Sequence, residues 1–237
     1  MTEIASWQYD ELKQVGVDYT NVAEVEAYDE RHNQFRDVEG ENAAIIQALS
    51  IQPDDVLIDL GTGTGAFAIQ VARRCKKVYA VDVSKVMLEY GSRKAARSGV
   101  TNVEFVHGGF LTYFHRAAPV DAVVTSTAFH HLPDFWKAVG LRRMNQMLKT
   151  GGKLYLADVV FSGDSFESDI AGWIEEMGHV GGPELQEEMA LHLREEYSTF
   201  DWILEGLIAR ANFRIEDKEN RGGVLAAYRC VKEADCA

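Results

Sequence analysis

The chain has 237 residues, 46% hydrophobic and 26% charged, with a formal net charge of −13. This is globular composition at a length suited to one domain, and the acidic balance argues against nucleic acid, whose capture needs clustered Lys and Arg. No apolar run approaches the roughly 20 residues of a membrane-spanning helix and residues 1–7 carry no export signal, so a cytoplasmic protein without a membrane partner is expected.

Residues 1–50 are polar and studded with aromatics, and end in a helical stretch over 41–49. Strands and helices then alternate. Residues 55–60 read as a strand, 66–75 as a helix and 77–82 as a second strand. Ser84 is placed to cap a helix over 85–98, followed by strands at 103–106 and 121–125. Trp136, Val139, Met144, Met147 and Leu148 fall on one side of a further helix, with glycine at 151–152 as its left-handed cap. A fifth strand runs over 153–160. Such alternation with short connections implies an α/β fold, a doubly wound, mostly parallel sheet covered by helices on both faces.

The alternation breaks at 162–196, which is acidic and helix-prone and reads as a helical insertion after the fifth strand. Ser198-Thr199-Phe200-Asp201 has the look of a capping box, opening a helix that ends near Asn212. Two last strands are expected near 213–218 and 224–231. All of this forms a single domain over 1–237.

Asp59-Leu60-Gly61-Thr62-Gly63-Thr64-Gly65 lies between the first strand and its helix. Glycines at alternate positions let the backbone turn tightly and approach a ligand, at the switch point where doubly wound sheets bind ligands. Asp82, ending the second strand, suits the hydroxyls of a ribose. Dinucleotide enzymes space their glycines G-x-G-x-x-G and seat a pyrophosphate there. Here the third glycine comes one residue early and Asp59 precedes the loop. An anionic Asp repels pyrophosphate but suits an ammonium group, which favours S-adenosyl-L-methionine over NAD. A nicotinamide dehydrogenase would need the longer glycine spacing.

The run Val56 to Gly65 resembles the first motif of the class I S-adenosylmethionine-dependent methyltransferases. Val81-Asp82-Val83-Ser84, Phe129-His130-His131-Leu132 and 148–154 match further landmarks in order, most closely those of the small-molecule branch that includes ubiquinone and menaquinone biosynthesis enzymes. The resemblance covers about residues 40–160. It implies a Rossmann-like seven-stranded sheet with its last strand antiparallel, an N-terminal helical lid over 1–50, and methyl transfer from S-adenosylmethionine to a small-molecule acceptor. Carried onto this chain, it places Asp59, Gly61 and Gly63 at the methionine end, makes Thr62 and Gly65 of the same loop cofactor-binding, and sets Asp82 on the ribose. Val83 or Met87 would lie against the adenine, Gly109 and Phe110 would border its edge, and Thr125 would offer its backbone to the cofactor's amino group. Gly109 stands where the family often has an acidic residue that accepts from the adenine amino group.

Methyl transfer from a sulfonium is an in-line displacement with an activated leaving group, so positioning and desolvation can carry it. A general base is needed only for a protonated acceptor, and His130 and His131 are the candidates. Tyr19, Tyr28, His32 and Phe35 in the N-terminal segment and Trp173 in the insertion are the candidates for covering the acceptor. No Asn/Asp-Pro-Pro-Tyr motif occurs, no Pro-Cys follows the fourth strand, and Cys75, Cys230 and Cys236 lack metal-ligand spacing, so no metal site is expected. A cofactor-binding protein without methyl transfer remains the alternative at this level. The acceptor and the oligomeric state are not legible in the sequence.

Overall fold

The computed structural model describes residues 5–13, 21–33 and 36–236. Two N-terminal helices, α1 (Val22–His32) and α2 (Val38–Leu49), precede the alternating region β1 (Val56–Leu60), α3 (Ala66–Val71), β2 (Lys77–Asp82), α4 (Lys85–Arg97), β3 (Val103–His107) and β4 (Val120–Ser126). A 3-10 turn at Phe129–His131 leads into α5 (Asp134–Met147) and β5 (Leu148–Phe161). Then come α6 (Phe166–Glu195), β6 (Thr199–Phe200), α7 (Asp201–Arg210), β7 (Phe213–Arg221) and β8 (Leu225–Lys232).

Seven strands lie in the order β3-β2-β1-β4-β5-β8-β7, and the short β6 pairs with β5 outside that path. The first five are parallel, while β8 runs antiparallel to both β5 and β7. This is the expected doubly wound sheet. Central β1 is covered on both faces, with Leu57, Ile58 and Leu60 sealed from solvent. Side chains of that size stabilise by about 1.5–3 kcal/mol each when fully buried. In β8 only every second residue is buried, and edge strand β7 carries a charged, exposed surface, which discourages further strand pairing.

Three local expectations need correction. The helix expected over 66–75 stops at Val71, and the chain turns through 72–76, where the Asn102 side chain donates to the carbonyls of Ala72 and Cys75. Helix α5 is not ended by a glycine cap. It passes at Leu148 straight into extended backbone that pairs with Val120, and 149–152 bulge out before Lys153 pairs with Ala122. Gly151, at φ +77°, serves that bulge. Nor does Ser198–Asp201 form a capping box. Thr199 and Phe200 pair with β5, the Thr199 hydroxyl donates to Asp134 and Ser198 Oγ meets His192, so tertiary partners take the groups a cap would use. The cap expected at Ser84 is present, its hydroxyl accepting from the Met87 N–H.

The insertion is a helix broken at Gly182, where φ is +77° and Pro183 follows. Proline tolerates the first turn of a new helix but not the interior of an old one. The break folds the second half, ending at Glu195, back toward the carboxyl ends of the strands.

Candidate functional site

Between β1 and β4 the order of the strands reverses, leaving a crevice at their carboxyl ends. The glycine loop lies there. Gly61, Gly63 and Gly65 all take positive φ (74°, 54° and 75°). A Cβ on Gly61 would stand 2.4 Å from the Ala128 Cβ, so only glycine lets the loop after β1 pass the loop after β4. The loop is fixed to β2 by the Gly61 and Thr62 N–H groups, which donate to the Val81 carbonyl at 2.9 and 3.0 Å. Asp82 completes the anchorage, accepting from Gly63 N–H through Oδ2 and from Ser84 N–H through Oδ1, both at 2.8 Å. Burial raises its pKa, and the two backbone donors oppose the rise.

A cavity of about 600 Å³ opens from this loop, within the roughly 300–1,000 Å³ usual for small-molecule sites. Of the expected cofactor residues, Gly61, Gly63, Asp82, Val83, Met87, Gly109 and Phe110 line it. Asp59, Thr62, Gly65 and Thr125 do not. Asp59 sits behind the loop, accepting from Thr62 Oγ1 at 2.6 Å, and burial raises its pKa to about 7. Gly65 begins α3 against the Phe105 ring, and Thr125 is wholly inside β4. The wall after β4 is instead Ser126, Thr127 and Ala128. Thr127 has φ +50°, a strained value for a β-branched residue of the kind that clusters at functional sites.

The N-terminal segment covers one side. Tyr28 and Arg36 line the cavity, and burial pushes the Tyr28 phenol up to about 12. Asp29 latches α1 across the loop, accepting from the Thr64 hydroxyl and pairing with Lys94, each at 2.5 Å. Tyr19 and Phe35 lie outside the described residues, as does the side chain of His32, whose backbone ends α1. Trp173, Met177 and Met189 of α6 also line the cavity.

Glu11 is a lining residue that sequence reasoning missed. Its carboxylate accepts from Leu111 N–H at 2.9 and 3.0 Å and from Thr112 Oγ1 at 2.7 Å. A Cβ on Gly109 would lie 2.6 Å from Glu11 Oε2. The absent side chain at 109 thus leaves room for a carboxylate from a distant segment, and burial raises its pKa. The glycine at 109 was the only signal available.

His130 and His131 are brought to the cavity with different surroundings. Asp158 Oδ1 lies 2.5 Å from His130 Nδ1, and Oδ2 accepts from the His130 N–H at 2.9 Å. Glu196 Oε2 lies 3.1 Å from the other ring nitrogen and 2.5 Å from His192 Nδ1. Burial would lower the His130 pKa, but Asp158 and Glu196 outweigh it and raise it to about 9. Burial and the neighbouring His130 charge lower His131 to about 4. The end of α6 is held there by the Tyr197 N–H, which donates to the His130 carbonyl at 2.8 Å. Asp158 and His192 join His130 from distant segments of the chain, so no spacing in the sequence announced their meeting.

The methyltransferase-domain family matches residues 57–152, the stretch that builds the loop, β2 and the crevice. An uncharacterised methyltransferase of Geobacillus kaustophilus is 30% identical over 190 residues, covering 80% of this chain and 81% of the relative. The crystal structure of a SAM-dependent methyltransferase from Aquifex aeolicus has a similar fold (TM-score 0.63, 18% identity, 90% of this chain and 98% of that one). So does magnesium protoporphyrin IX methyltransferase from Synechocystis, solved with bound SAH (TM-score 0.61, 14% identity, 94% and 91%). No helix among the described residues is long and apolar enough to cross a membrane. The side-chain-free backbone at Gly61 and Gly63 and the carboxylate of Asp82 on one cavity wall fit the S-adenosylmethionine of these enzymes. The chain belongs to the methyltransferase family.

Proposed function

We propose that the enzyme methylates a small, largely apolar acceptor held between the N-terminal helices and α6. The observation that carries this reading is one continuous cavity lined by Gly61, Gly63, Asp82, Ala128, His130, His131, Trp173 and Met177. The same walls therefore serve a cofactor at one end and an acceptor at the other. When bound, the cofactor supplies an electrophilic methyl group on a sulfonium.

The chain's own residues position and enclose. Gly61 and Gly63 give backbone room at the methionine end, with Asp59 stiffening the loop from behind through Thr62. Asp82 keeps lone pairs toward the cavity for ribose hydroxyls, between Val83 and Met87. Glu11 offers a carboxylate beside Gly109 for the adenine amino group. Trp173, Met177 and Met189 exclude water from the acceptor, and mobile thioethers adapt to its shape. The likeness of the motifs to quinone-biosynthesis enzymes is in keeping with an aromatic acceptor. The acidic composition is in keeping with the absence of a nucleic-acid partner.

Methyl-labelled S-adenosylmethionine, incubated with the enzyme and a fractionated cell extract, tests the reading. Label should enter the low-molecular-weight, organic-extractable fraction. Enzyme-dependent label confined to protein or nucleic acid would refute it.

A further inference from the structure

We propose that His130, His192 and Glu196 form a binding site for a divalent first-row transition metal ion at the acceptor end of the cavity. The donor atoms are His130 Nε2, His192 Nδ1 and a Glu196 carboxylate oxygen, all within 4.8 Å of one another. Two imidazoles and one carboxylate are a ligand set suited to zinc, iron, cobalt or nickel rather than to magnesium or calcium.

The orientation of each ligand is already determined. Asp158 holds His130 by its Nδ1 and backbone N–H, which turns Nε2 toward Glu196. A carboxylate behind a ligating imidazole is the arrangement that fixes its tautomer and increases its basicity. Ser198 Oγ meets His192 Nε2 at 2.8 Å, leaving Nδ1 for the centre. The Glu196 side chain is only 7% exposed, and its Oε2 faces two ring nitrogens at 3.1 and 2.5 Å without a hydrogen bond of proper geometry. The two imidazoles are its ion-pair partners but give it no well-directed hydrogen bond, and a cation between the three groups would give that oxygen a directed bond.

Ligands about 2.1 Å from a tetrahedral metal stand about 3.4 Å apart. The Glu196 contacts at 3.1 and 2.5 Å are shorter than that, so a bound ion would move Glu196 outward at the end of α6. Two buried carboxylates, Asp158 and Glu196, also supply negative charge that a dication offsets. Three protein ligands leave a coordination position open to the cavity, the pattern of sites that bind substrate rather than merely brace a fold. There the ion would bind an acceptor oxygen and lower its pKa. That use rests on the methyl-transfer reading above, whereas binding of the ion does not.

The full-length protein, stripped with a chelator and dialysed, should be titrated calorimetrically with Zn²⁺ alone and, separately, with S-adenosylmethionine. One equivalent of zinc should bind at micromolar concentration or tighter. Glu196→Gln and His192→Ala should each weaken it at least about 100-fold, and Asp158→Asn about 10–100-fold, with cofactor affinity unchanged. Co²⁺ added to the unaltered protein should give visible bands of a four- or five-coordinate site without thiolate charge transfer, a readout independent of how the variants fold. No stoichiometric uptake, uptake retained in the Glu196→Gln/His192→Ala protein, or a six-coordinate or thiolate cobalt spectrum would overturn the site. Loss of S-adenosylmethionine binding in the unaltered protein would instead count against the methyl-transfer reading.

Discussion

Asp82 accepts the Gly63 N–H at 2.8 Å, so the carboxylate ending β2 holds the middle of the glycine loop that follows β1. One side chain thus anchors the loop and faces the cavity. Asp82→Ala should weaken S-adenosylmethionine binding by about 1–3 kcal/mol through loss of a charged acceptor. Titration calorimetry on protein whose circular dichroism is unchanged checks this. An unaltered dissociation constant would place the ribose elsewhere.

Gly61→Ala should damage both binding and stability. The added methyl would lie 2.4 Å from the Ala128 Cβ at a φ of +74°, combining a clash with backbone strain of about 1–3 kcal/mol. Adding Ala128→Gly removes the clash but not the strain, so thermal melting should show partial recovery. Full recovery, or no loss in the single variant, would contradict this account.

Asp59 gives a pH dependence of definite sign. Its folded-state pKa of about 7 lies above the ordinary value of 3.8, because burial favours the neutral acid. The native state therefore holds a proton that the unfolded chain has released, and stability declines as pH rises from about 4 to about 7. Asp59→Asn cannot release that proton. The melting temperature of the wild type, relative to this variant, should fall across that interval and then level off; a constant difference would exclude the effect.

Glu11→Ala should weaken binding of S-adenosylmethionine while leaving binding of an analogue with hypoxanthine in place of adenine nearly unchanged. The analogue lacks the amino group that the carboxylate beside Gly109 is placed to accept. Equal losses for both ligands in a calorimetric comparison would mean that Glu11 only braces Leu111 and Thr112.

The α/β alternation and the glycine loop were legible because each depends on local requirements. Runs such as 56–60 suit only a buried strand, and positive φ at Gly61, Gly63 and Gly65 selects glycine. Asp82 was legible for the same reason, since its place at a strand end follows from the pattern. Local signals failed where long-range partners took over. Thr199 pairs with β5 instead of capping α7, and Leu148 leaves α5 for the sheet because Val120 offers it a ladder position. Glu11 reaches Gly109 across 98 positions, and Glu196 meets His130 only because α6 breaks at Gly182 and returns. Backbone conformation and burial periodicity are written residue by residue. The meeting of side chains from distant segments depends on the whole packed chain, and only the tertiary structure decides it.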